Sequence, residues 1–221
     1  MKDNMTFPPH RFVKNGADES PLIVLNQYQD DADETAREIA NAANNPFNLL
    51  AIHGLDWNDD LTPWPMGPIG KGDVARKGLA DAYLGKLEEL IEIVKRENGL
   101  SPAWIGIAGY SLGGLFALYS GFETNTFSRI ASCSGSFWYE GFLPYCESHK
   151  LSEKVDRIYL SLGDKESKSK NHILATVEDN TKKIFGIIKD QGRQTTLVMN
   201  QGGHFLDTAK RTAIGIAYLL G

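Results

Sequence analysis

Hydrophobic positions along this chain fall into short unbroken runs separated by longer amphipathic stretches. Six runs, at 21–26, 47–53, 103–108, 128–133, 157–162 and 196–200, are aliphatic or β-branched and bounded by Gly, Pro, Asn or Asp. Each is too short for a stable helix and reads as a strand. Most lack polar alternation, the pattern of strands in a parallel sheet covered on both faces. Between them, 33–44, 80–95, 115–120, 173–189 and 206–220 read as helices. In 80–95, Tyr83, Leu84, Leu87, Leu90, Ile91 and Val94 share one face. The alternation predicts an α/β architecture with a mostly parallel sheet, and directs the search for chemistry to the carboxyl ends of the strands. Residues 1–19 show neither period and read as an irregular N-terminal arm on one domain spanning 1–221.

Two stretches follow expected strands without a period of their own. Residues 54–73 hold three prolines, four glycines, Trp57 and Trp64, and residues 135–150 hold Phe137, Trp138, Tyr139, Phe142 and Tyr145. Both are expected over the carboxyl edge of the sheet. Trp57, Trp64, Trp138 and Tyr139, with Tyr110 nearby, are the candidate walls of a substrate pocket.

Composition narrows the function class. The 221 residues carry a net charge of -5, opposite to a nucleic-acid footprint, and no Lys/Arg run exceeds two residues. Cys133 and Cys146, the two cysteines, lack zinc spacing and are too few for a disulfide scaffold. No window approaches 18 continuous apolar residues, and the first residues lack an apolar run of signal-peptide length. The expectation is a cytoplasmic protein with no membrane or nucleic-acid partner.

The strongest chemical signal is Gly109-Tyr110-Ser111-Leu112-Gly113, a G-x-S-x-G pattern followed by Gly114. Composition alone gives about 0.13 chance matches, so the setting matters. The motif lies between an expected strand and an expected helix, as a nucleophile elbow requires. Among the five histidines, His204 stands in Gly202-Gly203-His204-Phe205, after the last strand and before the last helix. An imidazole there suits general-base work. The strand at 157–162 runs into Gly163-Asp164-Lys165-Glu166. Glu166 is the expected orienting acid because its longer loop step carries it toward His204; Asp164 is the alternative. The order Ser, acid, His is that of α/β-type hydrolases rather than of chymotrypsin or subtilisin.

An oxyanion hole needs two N–H groups aimed at the developing charge. Leu112, directly after the serine, supplies one. The turn Ile52-His53-Gly54-Leu55 is expected to supply the other through Leu55, with Asp56 the one-residue alternative.

These pieces resemble the α/β-hydrolase superfamily, and within it the esterase family that includes esterase D, ferric-enterobactin esterases and the mycolyltransferase antigens. The resemblance rests on GYSLGG around Ser111, SGSFW at 134–138, SLGDKE at 161–166, GGHF at 202–205 and HGLDWNDDLTPW at 53–64. It implies a three-layer α/β-hydrolase fold without a large cap domain. It also implies Ser111 as nucleophile, His204 as base, Glu166 as acid, and Leu55 and Leu112 as oxyanion donors. The implied activity is ester hydrolysis on a small-molecule substrate, without metal or organic cofactor.

Other chemistries fail on the residues. Asp56-x-Asn58-x-Asp60 begins like a calcium loop, but Leu61 stands where Gly is required and Gly67 where the closing Glu belongs. Gly70-Lys71-Gly72 lacks the rest of a P-loop, and neither HExxH nor G-x-G-x-x-G occurs. Two other readings of the same fold are acyl transfer to an alcohol and a non-catalytic binding protein.

Overall fold

The structure is a computed structural model and describes residues 7–221. Seven strands form one sheet: β1 (His10–Lys14), β2 (Leu22–Asn26), β3 (Asn48–Ile52), β4 (Ile105–Tyr110), β5 (Arg129–Cys133), β6 (Arg157–Gly163) and β7 (Gln194–Asn200). Their spatial order is β1-β3-β2-β4-β5-β6-β7. All neighbours pair in parallel except β1, which runs antiparallel to β3 with His10 opposite Ile52. The helices are α1 (Ala32–Ala42), α2 (Ala80–Asn98), α3 (Leu112–Glu123), α4 (Phe142–Ser148), α5 (Val177–Asp190) and α6 (Thr208–Leu220).

The unbroken apolar runs are explained by burial on both faces. In β2, Leu22 and Val24 face a core shared with α2, α3 and α5, while Ile23 and Leu25 face a second core shared with α1 and α6. A three-layer sandwich results, with no large insertion domain among the described residues. The same residues contain no helix long and apolar enough to cross a membrane.

The expected arm at 1–19 is corrected in part. Residues 10–14 are a strand, so His10 belongs to the sheet; residues 1–6 lie outside the described ones. The segment HRFVK is half exposed, and its strand state comes from pairing with β3 rather than from its own pattern. Within 135–150, Gly141 turns at φ 83 and admits the short helix α4. The helix expected at 115–120 begins three residues earlier, at Leu112. The start of 173–189 is a 3₁₀ turn ahead of α5.

Candidate active site

β4 delivers Ser111 to the carboxyl edge of the sheet and α3 begins at the next residue. The chain turns so sharply that Ser111 sits at φ 58, a left-handed conformation for a non-glycine residue. The turn is held by its backbone: Ser111 N–H donates to Cys133 O at 3.1 Å, and Ser111 O accepts from Ser136 N–H at 3.1 Å and Leu115 N–H at 3.0 Å. Gly109 is required here. A Cβ on it would lie 2.3 Å from the backbone of Gly113. Gly109→Ala should therefore force β4 and α3 apart and cost about 2–4 kcal/mol, because backbone cannot yield as a side chain does. Thermal unfolding followed by circular dichroism checks this, with an expected drop of roughly 5–15 °C for a chain of this size.

Ser111 Oγ lies 3.0 Å from His204 Nε2 and 3.3 Å from Ser136 Oγ. His204 Nδ1 lies 2.7 Å from Glu166 Oε2. The other carboxylate oxygen accepts from Gly163 N–H at 2.7 Å and Ser134 hydroxyl at 2.8 Å. Burial alone would raise the Glu166 carboxyl. The bond to His204 and its charge, helped by Gly163 and Ser134, outweigh burial and hold it below the ordinary value of 4.5. Asp164 serves the loop rather than the ring. Its carboxylate accepts from Gly202 N–H at 2.8 Å and ties down the segment before His204. Gly163 must lack a side chain, since a Cβ would stand 2.4 Å from Gly202 O.

The His204 loop is bolted from behind. Tyr110 hydroxyl donates to His204 O at 2.5 Å. The buried Arg211 guanidinium, from the first turn of α6, donates to Gly203 O at 3.1 Å, Gln201 O at 2.9 Å and Tyr110 Oη at 3.2 Å. It also stands 3.8 Å from Glu166. Sequence reasoning missed Arg211, Ser134 and Ser136. Arg211 carries no local signal, because an arginine in a helix first turn is ordinarily solvated. The two serines lie within SGSFW but differ from any other loop serine only by where β5 ends.

A cleft of about 590 Å³ opens over Ser111, with Trp57, Trp138 and Tyr110 in its walls. Trp57 approaches closely because Gly113 has no Cβ; one would sit 3.3 Å from the indole. Trp64 and Tyr139, also expected to line the pocket, do not line it. Tyr139 is 1% exposed, and its hydroxyl donates to Trp64 O at 2.6 Å. Trp64 packs among Tyr119, Phe142 and Tyr145 with ring centroids 5.6–6.5 Å apart, and its indole N–H donates to Glu140 O. The pair joins the two irregular stretches into one packed unit.

Leu112 is the first residue of α3, where an N–H has no intrahelical partner. Leu55 is placed elsewhere, in a separate hollow of about 290 Å³ with Phe7, Pro8 and Lys86, and the N–H of Asp56 is taken by Asp60 at 2.9 Å. The cause is strand order: β2 lies between β3 and β4, so the loop after β2 leaves the sheet from the strand next to β4. In that loop Gln27 N–H donates to Ile52 O at 2.8 Å, while Tyr28 N–H donates to no group among the described residues.

Both cysteines are free and buried, and burial pushes the Cys133 thiol up to about 12, which makes it an unreactive core group. Among the described residues no group of three or more His, Cys, Asp or Glu could hold a metal ion.

Comparison with known proteins agrees with this layout. Residues 52–204 match the family model described as "Putative esterase". The Bacillus subtilis "Uncharacterized protein YbbA" is 27% identical over 148 residues, covering 65% of this chain and 59% of that protein, so the match spans less than two thirds of the relative's length. Among solved structures, siderophore hydrolase EstB from Aspergillus nidulans superposes with a TM-score of 0.69 at 18% identity, covering 98% of this chain and 95% of its own. The IroE-like serine hydrolase from Shewanella oneidensis gives 0.72 at 14% identity, covering 96% and 75%. The enterobactin esterase FES from Shigella flexneri gives 0.66 at 19%, covering 95% and 53%. At these identities the structures share the fold. The family model matches more than half of the chain, and with that match the chain belongs to the esterase family of the α/β-hydrolase superfamily.

Proposed function

We propose that this protein hydrolyses carboxylic esters through an acyl-enzyme on Ser111. The observation that carries the reading is the unbroken relay from Ser111 Oγ through both nitrogens of His204 to a buried Glu166, beginning at a serine in a strained strand-to-helix turn. His204 Nε2 takes the hydroxyl proton as Ser111 Oγ attacks the ester carbonyl. Glu166 stays ionised, fixes the imidazole tautomer and stabilises the imidazolium. His204 then gives the proton to the departing alcohol, and next activates water to release the acid. The siderophore and enterobactin hydrolases of the same fold make an ester bond the natural target class, and the aromatic walls of Trp57 and Trp138 suit a flat or apolar acyl group. The same relay would serve transfer to a second alcohol.

For the oxyanion we assign Leu112 N–H and Tyr28 N–H, in place of Leu55. The exchange rests on β2 flanking β4 and on Tyr28, rather than Leu55, lining the cleft over Ser111. Removing one such donor costs about 100–1,000-fold in turnover. Tyr28→Pro, which lacks the N–H, is expected to lose that much kcat, whereas Leu55→Pro changes it less than about threefold. Steady-state kinetics on one ester, with circular dichroism to confirm folding, decide between the two positions.

The reading as a whole is tested by a series of p-nitrophenyl esters of increasing acyl length. Turnover with a pre-steady-state burst equal to the enzyme concentration is expected for at least one member. A folded protein that turns over none would instead favour a non-catalytic binding protein on this fold.

A further inference from the structure

The cleft over Ser111 is lined on its α2 and α3 side by Trp57, Trp138 and Arg76, and on its α1 and α6 side by Asp31, Thr35, Thr208 and Thr212. Tyr28 and Phe205 also line it, the Tyr28 ring standing edge-on to Trp57 at 5.6 Å. Three residues of the whole lining can carry formal charge: Asp31, Arg76 and His204. Two of them are answered inside the protein. Arg76 is gripped by both carboxylate oxygens of Asp73, at 2.8 and 3.1 Å, and His204 by Glu166 at 2.7 Å.

Asp31 has no basic partner among the described residues. Its acidic neighbours Asp30 and Asp33 both pair with Arg11, at 3.7 and 2.5 Å. One oxygen of Asp31 accepts from the Gln27 amide and lies 3.5 Å from the Thr35 hydroxyl. Burial, ahead of its bonds to its own backbone N–H and to Thr35, and with Glu34 and Asp30 adding to it, raises this carboxyl above the ordinary 3.8. Phe205 is 90% exposed and Tyr28 75% exposed, so both rings in the lining are open to a ligand.

We propose that the α1 and α6 side of this cleft takes a cationic leaving group: the ester's alcohol portion carries an ammonium that pairs with the Asp31 carboxylate and is covered by the rings of Tyr28 and Phe205. Aromatic rings together with a carboxylate that has no basic partner are the combination that replaces the hydration of an organic cation. The leaving-group side follows from the reaction: His204 hands its proton to the departing oxygen, and Phe205, Thr208 and Thr212 continue the His204 loop into α6. The net charge of -5 adds attraction at longer range. This inference rests on the hydrolase reading above.

The test compares butyrylcholine with 3,3-dimethylbutyl butyrate, esters of the same acid whose alcohols match in shape and differ in charge. The wild-type kcat/KM is expected to favour the cation at least about tenfold at low ionic strength, chiefly through KM, and the margin should shrink as salt rises. In Asp31→Asn, which keeps a residue suited to begin α1, the ratio is expected within about twofold of unity. Equal use of both esters by wild type, a preference indifferent to salt, or a preference that survives Asp31→Asn overturns the proposal. If a fluorophosphonate labels the enzyme while the charged ester is ignored, only this inference fails. If neither ester reacts and no label attaches, the hydrolase reading fails with it.

Discussion

Ser111→Ala should lower ester turnover by about 10⁵–10⁶-fold while leaving the protein folded. A triad of this kind acts as a unit, so loss of the nucleophile costs nearly as much as loss of all three members. What remains comes from binding and from the oxyanion donors, which the substitution leaves in place. Stability should move little. The serine hydroxyl meets only His204 and Ser136, and the turn is held by backbone bonds from Cys133, Ser136 and Leu115 that alanine retains. Kinetics paired with thermal unfolding separate the two effects: a midpoint within about 2 °C of wild type and activity near background are expected together.

Glu166→Gln comes next in size. The amide can still approach His204, but it can present an N–H where the ring N–H needs an acceptor, and it cannot stabilise the imidazolium. A loss of about 10³–10⁴ in kcat with a modest change in KM is expected. The same carboxyl has a consequence for stability. Its folded value is depressed below the ordinary 4.5, so the stability it contributes is fully present above that ordinary value and is lost as pH falls through the folded value. Wild-type unfolding free energy should therefore decline in acid below about pH 4.5, and Glu166→Gln should flatten that part of the decline. Denaturant unfolding at several pH values measures the difference. Glutamine also leaves the Arg211 guanidinium, 3.8 Å away, without a carboxylate, so the variant should be less stable than wild type at neutral pH.

How far the sequence reveals such a site depends on which physical rule places each residue. Ser111 and His204 stand in glycine-flanked turns directly after apolar strands, and chain connectivity alone carries such turns to one edge of a parallel sheet. Glu166 follows from the step past Gly163, whose lack of a side chain is needed where Gly202 O passes. The proposed second oxyanion donor, Tyr28, is not legible in this way. The proposal depends on β2 lying between β3 and β4, and lateral strand order leaves no mark in the hydrophobic pattern of any one strand. β1 was missed for a related reason, since an edge strand half in water lacks the apolar run that reveals the central ones. Trp64 and Tyr139 show the converse limit. Aromatic richness located two loops at the mouth of the cleft but could not say that these two rings would face each other and the core. Arg211, buried behind the histidine loop, is recognised only from the three carbonyl and hydroxyl oxygens it serves.

The central claim is that Ser111 is a nucleophile activated by His204, and covalent trapping tests it most directly. After exposure to a fluorophosphonate, intact mass followed by peptide mapping should find one adduct per chain, on Ser111, formed much more slowly in His204→Ala and absent in Ser111→Ala. A folded wild-type protein that gains no adduct, or gains it on another residue with Ser111 untouched, would contradict the account.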